Sequence, residues 1–369
     1  MRIRFFPVVG GSILLMIIAS ACGGWPPASG VGISAGGNRT CFVESGRAWC
    51  WGQNQAGQLG DGTFEDRDTP APVVAADDIL SLAVGFAYTC AVKRTGEVAC
   101  WGSGVPDRPG SDPVTGCAAA AVGTSHACIL TASGAVKCWG TNGLGALGDG
   151  STETRQEPVD VVGMGGGVAS LSAGTDFSCA VRGGAAKCWG SNDSGQLGVG
   201  TYAAGLTPQT VEGLDSGMTG IAAGMFHACA WYREGGIWCW GENLLGALGD
   251  GTNRNSPIPV VVRLTGGIQS VVAGAGHTCA LTVAGGVACW GDNARGQLGN
   301  GTTVASNTPV EAAGLTRGVV AIAAGAEHTC ALLGGRTVKC WGSNNRGQLG
   351  NGTRSDSLVP ADVALPPAG

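Results

Sequence analysis

The chain has 369 residues, a formal net charge of -5, 13% charged and 44% hydrophobic residues, and 68 glycines. That apolar content is too high for a disordered chain, and glycine at this density is costly inside helices, at ~1 kcal/mol per site. No three-residue glycine period exists, which excludes collagen, and the acidic balance argues against nucleic acid as a partner.

Residues 1–21 begin with the basic Met1-Arg2-Ile3-Arg4, continue in an apolar run from Phe5 and end in the small residues Ala19-Ser20-Ala21 before Cys22. This is the layout of an export signal, too short to span a bilayer. The cysteine after small residues resembles a bacterial lipobox. The resemblance implies cleavage before Cys22, its lipidation, and a tether over residues 22–31. Ordinary secretion with cleavage near Ala21 is the alternative. A lipid on Cys22 would be the only contact with a membrane.

From residue 32 onward the chain repeats. Cys-Trp-Gly recurs at Cys50, Cys100, Cys138, Cys188, Cys239, Cys289 and Cys340, at intervals of 50, 38, 50, 51, 50 and 51 residues. A period near 50 signals a solenoid, propeller or array. Each unit has one grammar. A short apolar run ends in Ala-Gly, as in Val271-Val272-Ala273-Gly274. Two variable residues precede His277-Thr278-Cys279-Ala280-Leu281. A glycine turn leads to Val287-Ala288-Cys289-Trp290-Gly291. A turn-rich stretch, Asn293 to Thr302, and a Pro-Val element close the unit. The apolar runs are too short for helices and read as about four antiparallel strands per unit. The expected fold is all-β, a seven-bladed propeller over 32–369, because closing the ring removes exposed sheet edges. A linear β-solenoid is the alternative.

His-Thr-Cys-Ala-Leu, Cys-Trp-Gly and Asn-x-x-Gly-Gln-Leu-Gly-Asn-Gly-Thr together resemble the regulator of chromosome condensation repeat, over essentially all of residues 32–365. The resemblance implies a seven-bladed propeller. Members of that family include a nuclear guanine-nucleotide exchange factor, a plant ultraviolet-B photoreceptor and secreted bacterial inhibitors of β-lactamases, so function is not implied by fold. The second unit departs from the pattern. Gly102 to Gly123 spans 21 residues, against 33 or 34 in five other units, and the long turn is missing. A truncated outer edge follows, although Pro113-Val114 is placed to keep its outer strand.

Fourteen of the 16 cysteines form seven pairs: Cys41/Cys50, Cys90/Cys100, Cys128/Cys138, Cys179/Cys188, Cys229/Cys239, Cys279/Cys289 and Cys330/Cys340. Each pair flanks a predicted hairpin turn. Directly opposed antiparallel residues lie ~4.5–5.5 Å apart at Cα, within disulfide reach. Two thiols per unit at this spacing do not match a zinc pattern, and buried reduced cysteine is the bland alternative. Parity together with an export signal favours disulfides in an oxidising compartment. Cys117 is left over.

All four histidines, His126, His227, His277 and His328, stand two residues before a pair cysteine, where other units carry Arg39, Tyr88 and Phe177. A histidine ring suits a metal, but packing at the strand start explains the recurrence better, and no metal or other cofactor is expected. The Cys-Trp-Gly tryptophans read as wedges between blades rather than as a light sensor. Asp61, Asp149 and Asp250 read as turn formers rather than calcium ligands, since Asn300, Asn351 and Val199 replace them. No phosphate loop or nucleophile elbow occurs, and near-equal repeats do not assemble the unlike residues that catalysis needs. No enzymatic activity is expected.

The connection after Ala-Gly varies between units. Its aromatic and methionine residues are of the types enriched where proteins meet. Phe86, Tyr88, Phe177, Met225, Phe226 and His227 are therefore the expected partner-contacting residues, with filling between blades as the alternative. A second variable set follows the Gly-Thr turns: Phe64 to Asp68, Thr152 to Glu157, Tyr202 to Leu206 and Asn253 to Asn255. The expected function is a monomeric, non-enzymatic binding scaffold, lipid-tethered at a bacterial envelope, with a protein or polysaccharide partner. The alternatives are an inhibitor or regulator of an envelope enzyme, and an exchange factor by resemblance alone.

Overall fold

A computed structural model describes residues 31–103 and 115–367. The expected leader, Cys22 and the Pro113-Val114 outer strand lie outside the described residues. Every regular element described is a strand. In blade 1, β1 (Val31–Gly36), β2 (Arg39–Glu44), β3 (Arg47–Gly52) and β4 (Arg67–Pro72) pair antiparallel in chain order. Blades 3 to 7 repeat this as four-stranded sheets. The fold is the seven-bladed β-propeller that the repeats predict.

Blade 2 has three strands among the described residues: β5 (Ile79–Val84), β6 (Tyr88–Lys93) and β7 (Val98–Gly102). The stretch that the short spacing shortens, residues 104–114, lies outside the described residues, and so does the expected truncated edge. Outer strands elsewhere carry prolines, such as Pro70, Pro158 and Pro309, which an edge tolerates because one side needs no ladder bond.

The innermost strands line an axial channel of about 140 Å³. Each ends in the Ala-Gly-type glycine, and the reason is close approach. A Cβ on Gly85, Gly123, Gly174, Gly224, Gly274 or Gly325 would strike a carbonyl of the following blade. Backbone bonds such as Ala275 N to Ala326 O (3.0 Å) and Ala326 N to Gly37 O (2.8 Å) tie this belt together.

The core is divided among the boundaries. Seven apolar clusters occupy the seven blade–blade contacts, and no single central core exists among the described residues. All seven predicted disulfides are present, each joining directly opposed residues with Cα atoms 4.0–4.1 Å apart. That spacing is at the close end, as befits pairs without a ladder bond between them. Cys117 opens the inner strand of blade 3 outside these disulfides, and burial pushes its thiol up to about 11.

The ring closes without strand exchange. Blades 1 and 7 are each continuous in the chain, and their boundary repeats the contacts of the others, Trp51 Nε1 donating to Gln348 O at 2.9 Å. Ion pairs Arg336–Glu44 (2.7 Å) and Arg346–Asp66 (3.2 Å) supplement it.

Candidate binding face

The antiparallel order brings two sets of connections to one end of the propeller. The Ala-Gly loop joins the first and second strands of each blade, and the long turn after Cys-Trp-Gly joins the third and fourth. Both variable sets in the sequence therefore share a face. Hairpin tips and blade-to-blade links occupy the other.

Each long turn is folded by one buried asparagine: Asn54, Asn142, Asn192, Asn243, Asn293 or Asn344. Its Oδ1 accepts from the leucine N–H five residues on, at 2.8–3.0 Å. Its Nδ2 donates across the turn, as from Asn54 to Thr63 O at 3.0 Å. Asp61 accepts from Asn54, Thr63 and Arg67, so its carboxylate is engaged within the turn. The inner half of the turn then clamps the next blade. Its leucine (Leu59, Leu147, Leu197, Leu248, Leu298 or Leu349) is fully buried at the boundary. One of its carbonyls accepts the next blade's indole N–H, as Ala247 O does from Trp290 at 2.9 Å and Gln297 O from Trp341 at 2.9 Å.

The histidines join the same network. His126, His227, His277 and His328 each meet a hydroxyl of the following blade: Ser178, Thr278, Thr329 and Thr40, at 2.8–2.9 Å. Each hydroxyl donates to a long-turn carbonyl of the histidine's own blade, as Thr278 does to Ala247 O at 2.9 Å, where this blade 5 carbonyl also takes Trp290. The hydroxyl's proton is thus committed, and the imidazole donates from Nε2. Burial pushes these imidazoles down, to about 4 at His126 and His277 and to about 3 at His227 and His328. They are neutral structural links. Where a blade carries Tyr88 or Phe177 instead, the next blade presents Ala127 or Ala228 in the hydroxyl's place. Arg39 is fully buried and donates to Gly85 O (2.8 Å) and Phe86 O (2.9 Å) of blade 2; burial lowers it to about 9.

The tips of the long turns are free of this framework. Phe64 (71% exposed), Tyr202 (53%), Leu244 (65%), Leu245 (49%) and Val304 (72%) stand open on this face, with Leu144 beside them. A family model for the RCC1-like domain matches residues 105–368, and one for the regulator of chromosome condensation (RCC1) repeat matches residues 45–92.

The chain belongs to the RCC1-like domain family.

The Arabidopsis thaliana ultraviolet-B receptor UVR8 is 40% identical over 83 residues, 21% of this chain and 19% of that one. Human WBSCR16 is similar in structure, with TM-score 0.77 and 22% identity over 88% of this chain and 95% of that chain. Saccharomyces cerevisiae Prp20p gives TM-score 0.77 and 21% identity over 86% of this chain and 85% of that chain. These two likenesses show the fold.

Within this RCC1-like domain the expected contact residues separate into two groups. Tyr88, Phe177 and His227 are buried between blades, which corrects their reading as partner contacts. Each is the first residue of a second strand, and its side chain turns into the boundary rather than out from the loop. Phe86, Met225 and Phe226 are half-buried, and Phe86 and Met225 line the channel mouth. At about 140 Å³ the channel is well below the ~300–1,000 Å³ of a ligand pocket. The exposed tips Leu144, Leu244 and Leu245 were not singled out from the sequence. Their signal is an apolar residue in the two positions between the turn's asparagine and glycine, where other units hold Gln55-Ala56, Asp193-Ser194 or Asn345-Arg346.

Proposed function

We propose that this RCC1-like domain is a non-enzymatic scaffold of a bacterial envelope, exported by residues 1–21, held by lipid on Cys22, and binding a protein through the long-turn face. One observation carries the reading. Six near-identical long-turn frames among the described residues, spent on one another, display unlike exposed apolar tips on a single face. Phe64, Tyr202, Leu244, Leu245 and Val304 are exposed on this face, and the aromatic ones are of the type enriched where proteins meet. Seven disulfides support a compartment where thiols oxidise, and the described residues contain no helix long and apolar enough to cross a membrane. Phe86, Met225 and Phe226 belong to the inner rim of the same face. The similar Prp20p structure is described with that protein's binding to Gsp1p and histones, a use of this fold for protein contacts.

The test is site-specific photo-crosslinking on intact cells, with the crosslinker at Leu245 or Phe64 and, on the opposite face, at Val283. A specific adduct from the first two sites alone is expected. Equal adducts from Val283 would overturn the assignment of the face. Separately, Cys22→Ala is expected to move the protein from the membrane to the soluble exported fraction; unchanged retention would refute the anchor.

A further inference from the structure

The face opposite the long turns carries a cleft of about 440 Å³ between blades 4 and 5. Trp238, Tyr232 and Glu234 of blade 5 line one side. Met218 and the Gly213–Gly217 link lie on the other. The Tyr232 and Trp238 rings sit 5.4 Å apart, tilted at 35°, and both are half-buried with a side open to the cleft.

The pseudo-symmetry of the ring supplies a related, filled place at the 7–1 boundary, where Glu44 stands at the position of Tyr232 and Phe42 at that of Ala230. Trp49 of blade 1 holds the position of Trp238, immediately before its pair cysteine, and also leans on a second ring, Phe42, at 6.1 Å. There a guanidinium covers the aromatic pair. Arg336, from the blade 7 hairpin, sits 5.8 Å from the Phe42 centroid and 6.0 Å from that of Trp49. It also donates to Glu44 (2.7 Å) and to Pro366 O (2.6 Å).

Among the described residues the 4–5 boundary has no such occupant. The blade 4 hairpin turns through Gly183-Gly184 straight to Ala185, where blade 7 inserts Arg336 after Gly334-Gly335. Arg182 bends the other way, donating to Gly166 O at 2.8 Å. Glu234 and Asp215 make the surroundings acidic against the exposed Arg233. The aromatic faces, the carboxylate and the acceptor carbonyls of the link remain, without the cation.

We propose that this cleft binds an organic cation, a guanidinium or ammonium group, which takes the place that Arg336 fills at the 7–1 boundary. The negative faces of Trp238 and Tyr232 attract the charge, and Glu234 pairs with it. The site lies on the face opposite the long turns, and its test is independent of that function.

The experiment is a titration of the full mature chain, followed by calorimetry and by the Trp238 indole resonance. The probes are N-acetyl-arginine amide, tetramethylammonium, and methyl glucoside as the neutral comparison. Saturable binding of the cations and none of the glucoside is expected. Trp238→Leu and Glu234→Gln are each expected to weaken binding by about tenfold. Inserting one arginine between Gly184 and Ala185 recreates the blade 7 hairpin, and is expected to abolish binding while leaving the melting temperature equal or higher. Glu234→Gln and the insertion do not touch the core, so the test survives if Trp238→Leu fails to fold. Glucoside binding as tight as the cations', no saturable cation binding, or unchanged binding in the insertion variant would each overturn the proposal.

Discussion

The boundary between blades 2 and 3 and the other six boundaries are built from the same parts, less one. Six boundaries receive a long turn from the preceding blade, with its buried leucine and its carbonyl for the next tryptophan. The 2–3 boundary receives none among the described residues. Among the described residues its cluster gathers Tyr88, Ile129, Cys117 and Trp139 with no turn leucine, and the buried Trp139 Nε1 and Tyr88 Oη have no hydrogen-bond partner. The difference shows what the long turn is for. It is an interblade clamp first, and only its tip is free to serve as a contact surface.

Acid produces the largest expected effect, and it inverts the comparison. The four histidines titrate near 6.5 when unfolded but near 3–4 when folded. Between these values the unfolded chain binds more protons, so stability present above ~pH 6.5 is lost as pH falls. The loss is up to ~1.4 kcal/mol per pH unit for each histidine. At pH 7 hydrogen exchange should be fastest at the 2–3 boundary. Near pH 4.5 the histidine boundaries should open first, because the 2–3 boundary carries Tyr88 and Ala127 where those boundaries carry a histidine and its hydroxyl partner. A pH-independent ranking would break this account.

Removing a clamp comes next. Leu298→Ala empties a fully buried site at the 6–7 boundary and is expected to cost ~2–5 kcal/mol in urea unfolding. A smaller contrast is sharper. Trp290→Phe removes a donor bonded at 2.9 Å, whereas Trp139→Phe removes one already unsatisfied. The first should be less stable than the second by ~1–3 kcal/mol, read as a difference in unfolding midpoints at equal slope. Equal losses would mean that the turn carbonyl contributes nothing.

Much of this was legible in the sequence. Fourteen cysteines in seven pairs and a period near 50 predict seven disulfide-bonded blades, and the structure agrees. The contact residues were legible only in part, because repeat position does not tell which way a side chain turns at a strand's first residue. Tyr88 and Phe177 look like loop anchors in the chain and are wedges in the ring. The missing signal lies across units: every histidine faces a Ser or Thr of the next unit, while Tyr88 and Phe177 face Ala127 and Ala228. The cation cleft was not legible, since it depends on one hairpin residue present in blade 7 and absent in blade 4.

The division of labour within one turn is tested most directly at blade 5. Leu244 and Leu245 form its exposed tip, and Leu248, three residues further, is fully buried against blade 6. The double variant Leu244→Ser, Leu245→Ser is expected to leave stability within ~0.5 kcal/mol, as surface changes do, while Leu248→Ala lowers it by ~2–5 kcal/mol. Paired measurement of melting temperature and of the adduct from the Phe64 crosslinker decides the matter. The account predicts an unchanged melting temperature with the adduct lost in the tip variant. A tip variant that melts as early as Leu248→Ala, or keeps its adduct undiminished, would contradict it.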